Sequence, residues 1–91
     1  MIKVEGKNRQ HQVMLFALST CMWCRKTKKL LQDNSVEYEY VNVDELRGTE
    51  RDAAVEEVKK HNPNCTFPTT VVDGKCIVGY RETELKETLG L

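Results

Sequence analysis

No run of apolar side chains in these 91 residues is longer than six, Val13–Leu18, and the formal net charge is zero. The first absence excludes a bilayer-spanning helix, which takes about 20 such residues. The second argues against a nucleic-acid surface, which needs a basic excess interleaved with stacking rings; here six aromatic residues are scattered along a neutral chain. A leader-peptide pattern is also missing, because the chain opens on the polar MIKVEGKNRQHQ. The expectation is a cytoplasmic, monomeric protein that binds neither membrane nor nucleic acid.

Four cysteines are present, but not a second close pair. Cys21 and Cys24 are separated by two residues, Cys65 and Cys76 by ten. A zinc ribbon wants two close pairs, and a reducing cytoplasm keeps structural thiols open. Redox chemistry at Cys21-Met-Trp-Cys24 is the reading that survives. The alternative is a binding module in which the same cysteines hold zinc or an iron–sulfur cluster, and a redox-inert adaptor is a third option. No metal ligand set is assigned: His11 and His61 have no ligand-like spacing to the cysteines and read as surface residues. Cys65, three residues before Pro68, is a candidate auxiliary thiol, whereas Cys76 reads as a small buried hydrophobe.

The charge, though balanced, is segregated. Residues 1–35 carry seven bases against two acids, and residues 36–73 four bases against nine acids. Such a dipole either orients an acidic protein partner or marks the solvated faces of two helices.

Periodicity gives one α/β domain over residues 12–91, preceded by an N-terminal extension, 1–11, that is either an extra strand or a frayed tail. Val13–Leu18 is a continuous apolar run, expected for a strand buried on both faces. Trp23, Thr27, Leu30, Leu31 and Asn34 then share one helical face, which predicts a helix from Cys21 or Met22 to Asn34 with a left-handed cap there. Val36–Val43 reads as a strand. Thr49-Glu-Arg-Asp52 resembles a helix N-cap, opening a helix to His61 that buries Ala54, Val55 and Val58 before Asn62-Pro63 stops it. Thr69–Val72 and Lys75–Val78 flank Asp73-Gly74, a hairpin signal, and Thr83–Leu89 forms a last helix with Leu85 and Leu89 inward. The order β-α-β-α-β-β-α requires a right-handed parallel crossover followed by an antiparallel hairpin. The result is a mixed four-stranded sheet with helices on both faces.

This order puts Cys21 where a strand gives way to a helix. Free amides of the first helical turn and the positive end of the macrodipole stabilise an anion there, so the Cys21 thiol is expected below the free value of about 8.5. Arg25 and Lys26 add to that field. Cys24, already inside the helix, suits the role of resolving thiol. Trp23 either covers the dithiol as an apolar contact for substrate or packs as an ordinary core residue.

Residues 13–90 resemble the glutaredoxin branch of the thioredoxin superfamily. Cys21-Met-Trp-Cys24, Val43-Asp44, Thr66-Phe67-Pro68-Thr69 and Gly79-Tyr80 carry the resemblance. It implies a thioredoxin-like fold, a redox-active Cys21–Cys24 disulfide with no organic cofactor, and a cis Pro68 beside the dithiol. Phe67 would then lend its main chain to a bound polypeptide, a strand-addition mode of recognition. A plain strand-start proline is the alternative for Pro68. Glutathione-using members commonly carry a Lys or Arg three residues before the first cysteine, and Leu18 stands there. They also follow the paired glycines with anion-holding residues, where this chain has Gly79-Tyr80-Arg81-Glu82. Gly79-Tyr80-Arg81 resembles the Gly-Phe-Arg of NrdH-type redoxins, although Ile77-Val78 replaces the usual Trp-Ser. That resemblance implies thioredoxin reductase as electron donor and disulfide-containing proteins such as ribonucleotide reductase as acceptors. The candidate site is thus Cys21 and Cys24, with Trp23, Phe67, Pro68, Gly79, Tyr80 and Arg81 binding substrate. A helix-capping role is the alternative for Arg81.

Overall fold

A computed structural model describes all residues 1–91. The strands are β1 (Ile2–Val4), β2 (Val13–Ala17), β3 (Tyr38–Asn42), β4 (Thr69–Val72) and β5 (Lys75–Val78). The α-helices are α1 (Met22–Asp33), α2 (Gly48–His61) and α3 (Glu82–Leu89), with a 3-10 turn at Val43–Glu45. The sheet has five strands in the order β1-β3-β2-β4-β5, so the expected four-stranded sheet gains one. The extra strand comes from the N-terminal extension, with Ile2 opposite Tyr40 and Val4 opposite Tyr38 in antiparallel register. β2 and β3 run parallel, as the crossover requires, while β2–β4 and β4–β5 are antiparallel. No helix is long and apolar enough to cross a membrane.

The apolar run of β2 fills both sides of the sheet. Val13, Leu15 and Ala17 pack with Leu30 and Leu31 of α1 and Leu85 and Leu89 of α3. Phe16, one residue out of phase, packs with Val43, Val58 and Val71 on the face covered by α2. Alternation along a strand forces this division, and two covered faces explain why the run contains no polar residue.

Several helix ends differ from expectation. α2 opens one residue before Thr49, with Arg47 as N-cap and no side-chain cap, because Gly48 takes φ +57° and turns the chain early. Of the three α2 positions expected inside, Val58 is buried, whereas Ala54 and Val55 are half-buried at the edge of its cluster. Asn34 caps α1 at φ −99°, and its side-chain amide donates to the Leu30 carbonyl at 2.8 Å. The left-handed residue is Ser35, φ +55°. Asp73 and Gly74 take φ +49° and +86°, the geometry a tight two-residue hairpin demands.

The N-terminal segment is not frayed. Asn8 donates to the Ser35 carbonyl and accepts from the Glu37 amide, both at 2.9 Å. His11 is half-buried rather than free on the surface: its Nδ1 lies 2.6 Å from the Asp73 carboxylate, which also accepts the Gln12 amide at 2.7 Å. These two hydrogen bonds hold Asp73 below the usual carboxylate range, the His11 ring contributing most.

Candidate active site

The loop Leu18–Thr20 carries the chain from the end of β2 into α1, and Cys21 is the N-cap residue of that helix. An N-cap needs a side-chain acceptor for a free amide of the first turn, a task ordinarily given to Ser, Thr, Asp or Asn. Here sulfur does it: the Cys24 amide donates to Cys21 Sγ at 3.2 Å. The backbone is extended at φ −87°, ψ 116°, and the Cys21 carbonyl accepts the first helical bond from Arg25 at 3.1 Å. The sulfur thus faces a backbone donor at the positive end of the helix.

The second cysteine has the opposite environment. Cys24 is 1% exposed and packs into the α1–α3 side of the core. Burial, its hydrogen bond with Cys21 and the negative charge of Cys21 together push its thiol up to about 12. Cys24 therefore keeps its proton well above neutral pH. A raised thiol value means that the folded, reduced protein holds a proton the unfolded chain releases from about pH 9 upward. Stability should then fall as pH rises through that window, by at most about 1.4 kcal/mol per pH unit. Urea titrations of the reduced protein at pH 8 and pH 10 should show this slope, and a Cys24→Ala variant should show less of it.

A second loop packs, through Phe67, against the same core cluster as the two cysteines. The Phe67–Pro68 peptide is cis, as the family resemblance implies. The Pro68 carbonyl accepts the Gly79 amide at 2.8 Å, and Gly79 at φ +81° turns the chain toward Tyr80. Phe67 makes no backbone–backbone hydrogen bond, so its amide and carbonyl are unspent. Tyr80 stacks on Trp23 with ring centroids 5.8 Å apart. Trp23, Phe67, Pro68, Gly79 and Tyr80 together line an open groove of about 190 Å³. Trp23 is 52% exposed, so it is a groove wall and not a core residue.

Arg81 stands apart from that groove. As the N-cap residue of α3 it supplies a carbonyl to Leu85, while its Nε donates to the Val78 carbonyl at 3.1 Å. Cys65 takes φ +49° and packs at the edge of the α2-side cluster, and Cys76 is half-buried on β5 with its thiol raised by burial and by Glu84. All four cysteines are free thiols, and no three His, Cys, Asp or Glu side chains converge as metal ligands do.

Two residues that build the site carry no local sequence signal for it. Asp44 accepts the Ser19 amide at 2.8 Å and the Ser19 hydroxyl, which fixes the loop entering Cys21 and keeps the Asp44 carboxyl low. Asn62 is buried, and its amide donates to Thr66 Oγ1 at 2.9 Å and Thr69 Oγ1 at 3.1 Å, bracing the loop that holds Phe67 and Pro68. As a sequence feature Asn62 reads only as a helix stop. The sole advance hint for Asp44 is its place in the Val43-Asp44 pair.

A family model described as Glutaredoxin matches residues 13–77. The chain belongs to the glutaredoxin family. A glutaredoxin-like 8.6 kDa protein from the rubredoxin operon of Clostridium pasteurianum is 30% identical over 85% of this chain and 96% of its own length. The crystal structure of a glutaredoxin from Methanosarcina mazei is 49% identical, covers 98% of this chain and 86% of that one, and superposes with a TM-score of 0.90. Methanoredoxin from Methanosarcina acetivorans is 46% identical over 88% of this chain and 85% of that one, with a TM-score of 0.85. The glutaredoxin fold is thus the thioredoxin-like arrangement described above. With Cys21 and Cys24 as its close cysteine pair, this glutaredoxin is a thiol–disulfide oxidoreductase.

Proposed function

We propose that the protein reduces protein disulfides in the cytoplasm, with Cys21 as nucleophile and Cys24 as resolving thiol. The observation that carries this reading is the asymmetry of the pair: Cys21 is half-buried and its Sγ accepts a helix amide at the α1 N-cap, whereas Cys24 is buried and keeps its proton. The Cys21 thiolate attacks one sulfur of the substrate disulfide, forming a mixed disulfide and expelling the other sulfur as a thiolate. Cys24 then gives up its proton, which the departing thiolate can take, and attacks Cys21 Sγ. The substrate's second thiolate leaves, and the Cys21–Cys24 disulfide remains. Two electrons have passed to the substrate, and a reductase must return them. No organic cofactor takes part.

Substrate enters along the groove. The unspent amide and carbonyl of Phe67 offer strand-type hydrogen bonds to an extended chain, Pro68 and Gly79 form the floor, and the Trp23–Tyr80 pair gives an apolar wall. Arg81 enters this binding surface only by exchanging its present contacts for a partner's.

We further infer that electrons come from thioredoxin reductase and not from glutathione, with ribonucleotide reductase among the acceptors, as in NrdH-type redoxins. In support, the position three before Cys21 holds Leu18, which packs against the apolar α2-side cluster and has no charge for a glutathione carboxylate. Arg81, the remaining cation near Gly79, lies 3.9 Å from Glu84. NADPH oxidation coupled through thioredoxin reductase should therefore outrun the same assay coupled through glutathione and glutathione reductase by about tenfold or more. Faster turnover with glutathione would assign the opposite donor.

A further inference from the structure

The exposed face of α1 carries a clear excess of positive charge. The helix carries Arg25, Lys26, Lys28 and Lys29 against one acid, Asp33, and that acid is taken by Lys29 at 3.0 Å. Arg25, Lys26 and Lys28 have no anionic partner within the chain. Lys26 lies over the Trp23 ring at 4.6 Å and Lys28 over the Tyr40 ring at 3.9 Å. Aromatic faces hold these ammonium groups in place without neutralising them. The positive end of the α1 macrodipole points the same way, toward the N-cap that Cys21 occupies. From the turn before α2 through that helix acids outnumber bases, with Asp44, Glu45, Glu50, Asp52, Glu56 and Glu57 against Arg47, Arg51, Lys59 and Lys60.

This positive face is continuous with the substrate groove. A second open cavity, about 470 Å³, lies between α1 and α3 and is lined by Lys26, Lys29, Tyr80, Glu82 and Lys86 among others. Tyr80 lines both cavities, one on each side. Within the second, Lys29 and Lys86 are paired with Asp33 and Glu82, each at 3.0 Å, which leaves Lys26 as the uncompensated charge. A chain seated beside Phe67 and passing Tyr80 runs directly into the field of Lys26 and its neighbours.

We propose that the preferred substrates are polypeptides whose reducible cysteine lies in an extended segment with acidic side chains a few residues away, on the side that passes Tyr80. This proposal rests on the dithiol reading above and adds the substrate class. The cations of α1 draw the acidic segment in and fix its direction in the groove. The acidic α2 side repels it, so a partner arrives with its disulfide facing Cys21. Charge complementarity of this kind acts mainly on the association rate and is screened by salt.

The test uses the full-length reduced protein and three short peptides, each with one cysteine disulfide-linked to a neutral thiol. The cysteine is flanked by Glu, Gln or Lys. Reduction is followed by rapid mixing at about 20 mM and about 500 mM salt, where the screening length falls from roughly 20 Å to about 4 Å. The Glu peptide should react about tenfold faster than the Lys peptide at low salt, the two converging to within about twofold at high salt. An Arg25→Glu/Lys26→Glu variant should invert the order of the peptides. Equal low-salt rates for the Glu and Lys peptides overturn the proposal, as does a preference that salt leaves unchanged. The wild-type salt series decides the matter even where the variant folds poorly. With the Gln peptide reduced normally, such a result leaves the dithiol reading standing; no reduction of any peptide overturns both.

Discussion

Replacing Cys21 with serine should abolish disulfide reduction, lowering turnover by at least about a thousandfold, while Cys24→Ser should leave the first attack intact and trap its product. The difference follows from the two environments. A serine hydroxyl in the N-cap position still accepts the Cys24 amide and still caps α1, so the fold is kept. What disappears is the sulfur nucleophile itself, which a hydroxyl cannot replace in thiol–disulfide exchange. In the Cys24→Ser variant the N-cap sulfur remains, still facing a helix amide, and reacts with a substrate disulfide as before. The resulting mixed disulfide then has no neighbour to resolve it. Intact-mass measurement after mixing with a model disulfide should show one stoichiometric adduct on the Cys24→Ser protein and none at position 21 of the Cys21→Ser protein. A stable adduct at Cys65 or Cys76 with turnover preserved in Cys21→Ser would reassign the chemistry to another thiol.

A Gly6→Ala substitution should lower stability by about 3 kcal/mol, with a fall in Tm of roughly 15 °C for a domain of this size. Gly6 sits where the N-terminal segment crosses the loop after α1. A Cβ built there falls 2.3 Å from the Ser35 carbonyl oxygen and 2.8 Å from the Glu37 amide nitrogen. Both obstacles are backbone, so no side-chain rotation relieves the contact. Asn8 holds the same backbone through its paired hydrogen bonds at Ser35 and Glu37, and moving the strap aside would forfeit them together with the β1–β3 ladder. Thermal denaturation followed by circular dichroism measures the loss. Amide exchange in β1 shows whether the strap alone opens or the whole domain loosens; an unchanged Tm would mean that residues 1–8 contribute nothing to the folded core.

The parts of this molecule that were legible in its sequence are those governed by local pattern. The six apolar residues from Val13, the i, i+4, i+7 and i+8 spacing around Thr27 and Leu31, and the Asp73-Gly74 pair each specify an element through one dominant rule. The cysteine spacing, set at a strand-to-helix turn, placed the candidate chemistry at the N-terminus of α1. Less legible were features settled by distant partners. β1 is three residues long and forms because β3 offers it an edge; Ile2–Val4 by itself leaves an extra strand and a frayed tail equally open. The His11–Asp73 contact joins residues 62 apart in the chain. Asp44 acts on a loop 25 residues before it. Thr49 misled because its capping signal competed with a glycine one residue earlier, and the backbone freedom of Gly48 decided where the helix begins.

β2 is the middle strand of five, hydrogen-bonded on both flanks and covered above and below. Such a strand is the last part of a domain to open. The reacting sulfur therefore hangs from the stiffest point of the scaffold, a few residues past the strand's end, and the making and breaking of its bonds has little slack to draw on. On the dithiol reading, whatever bending a thiol exchange demands falls to the incoming polypeptide, so disulfides in unfolded tails and mobile loops should react faster than ones locked inside rigid domains.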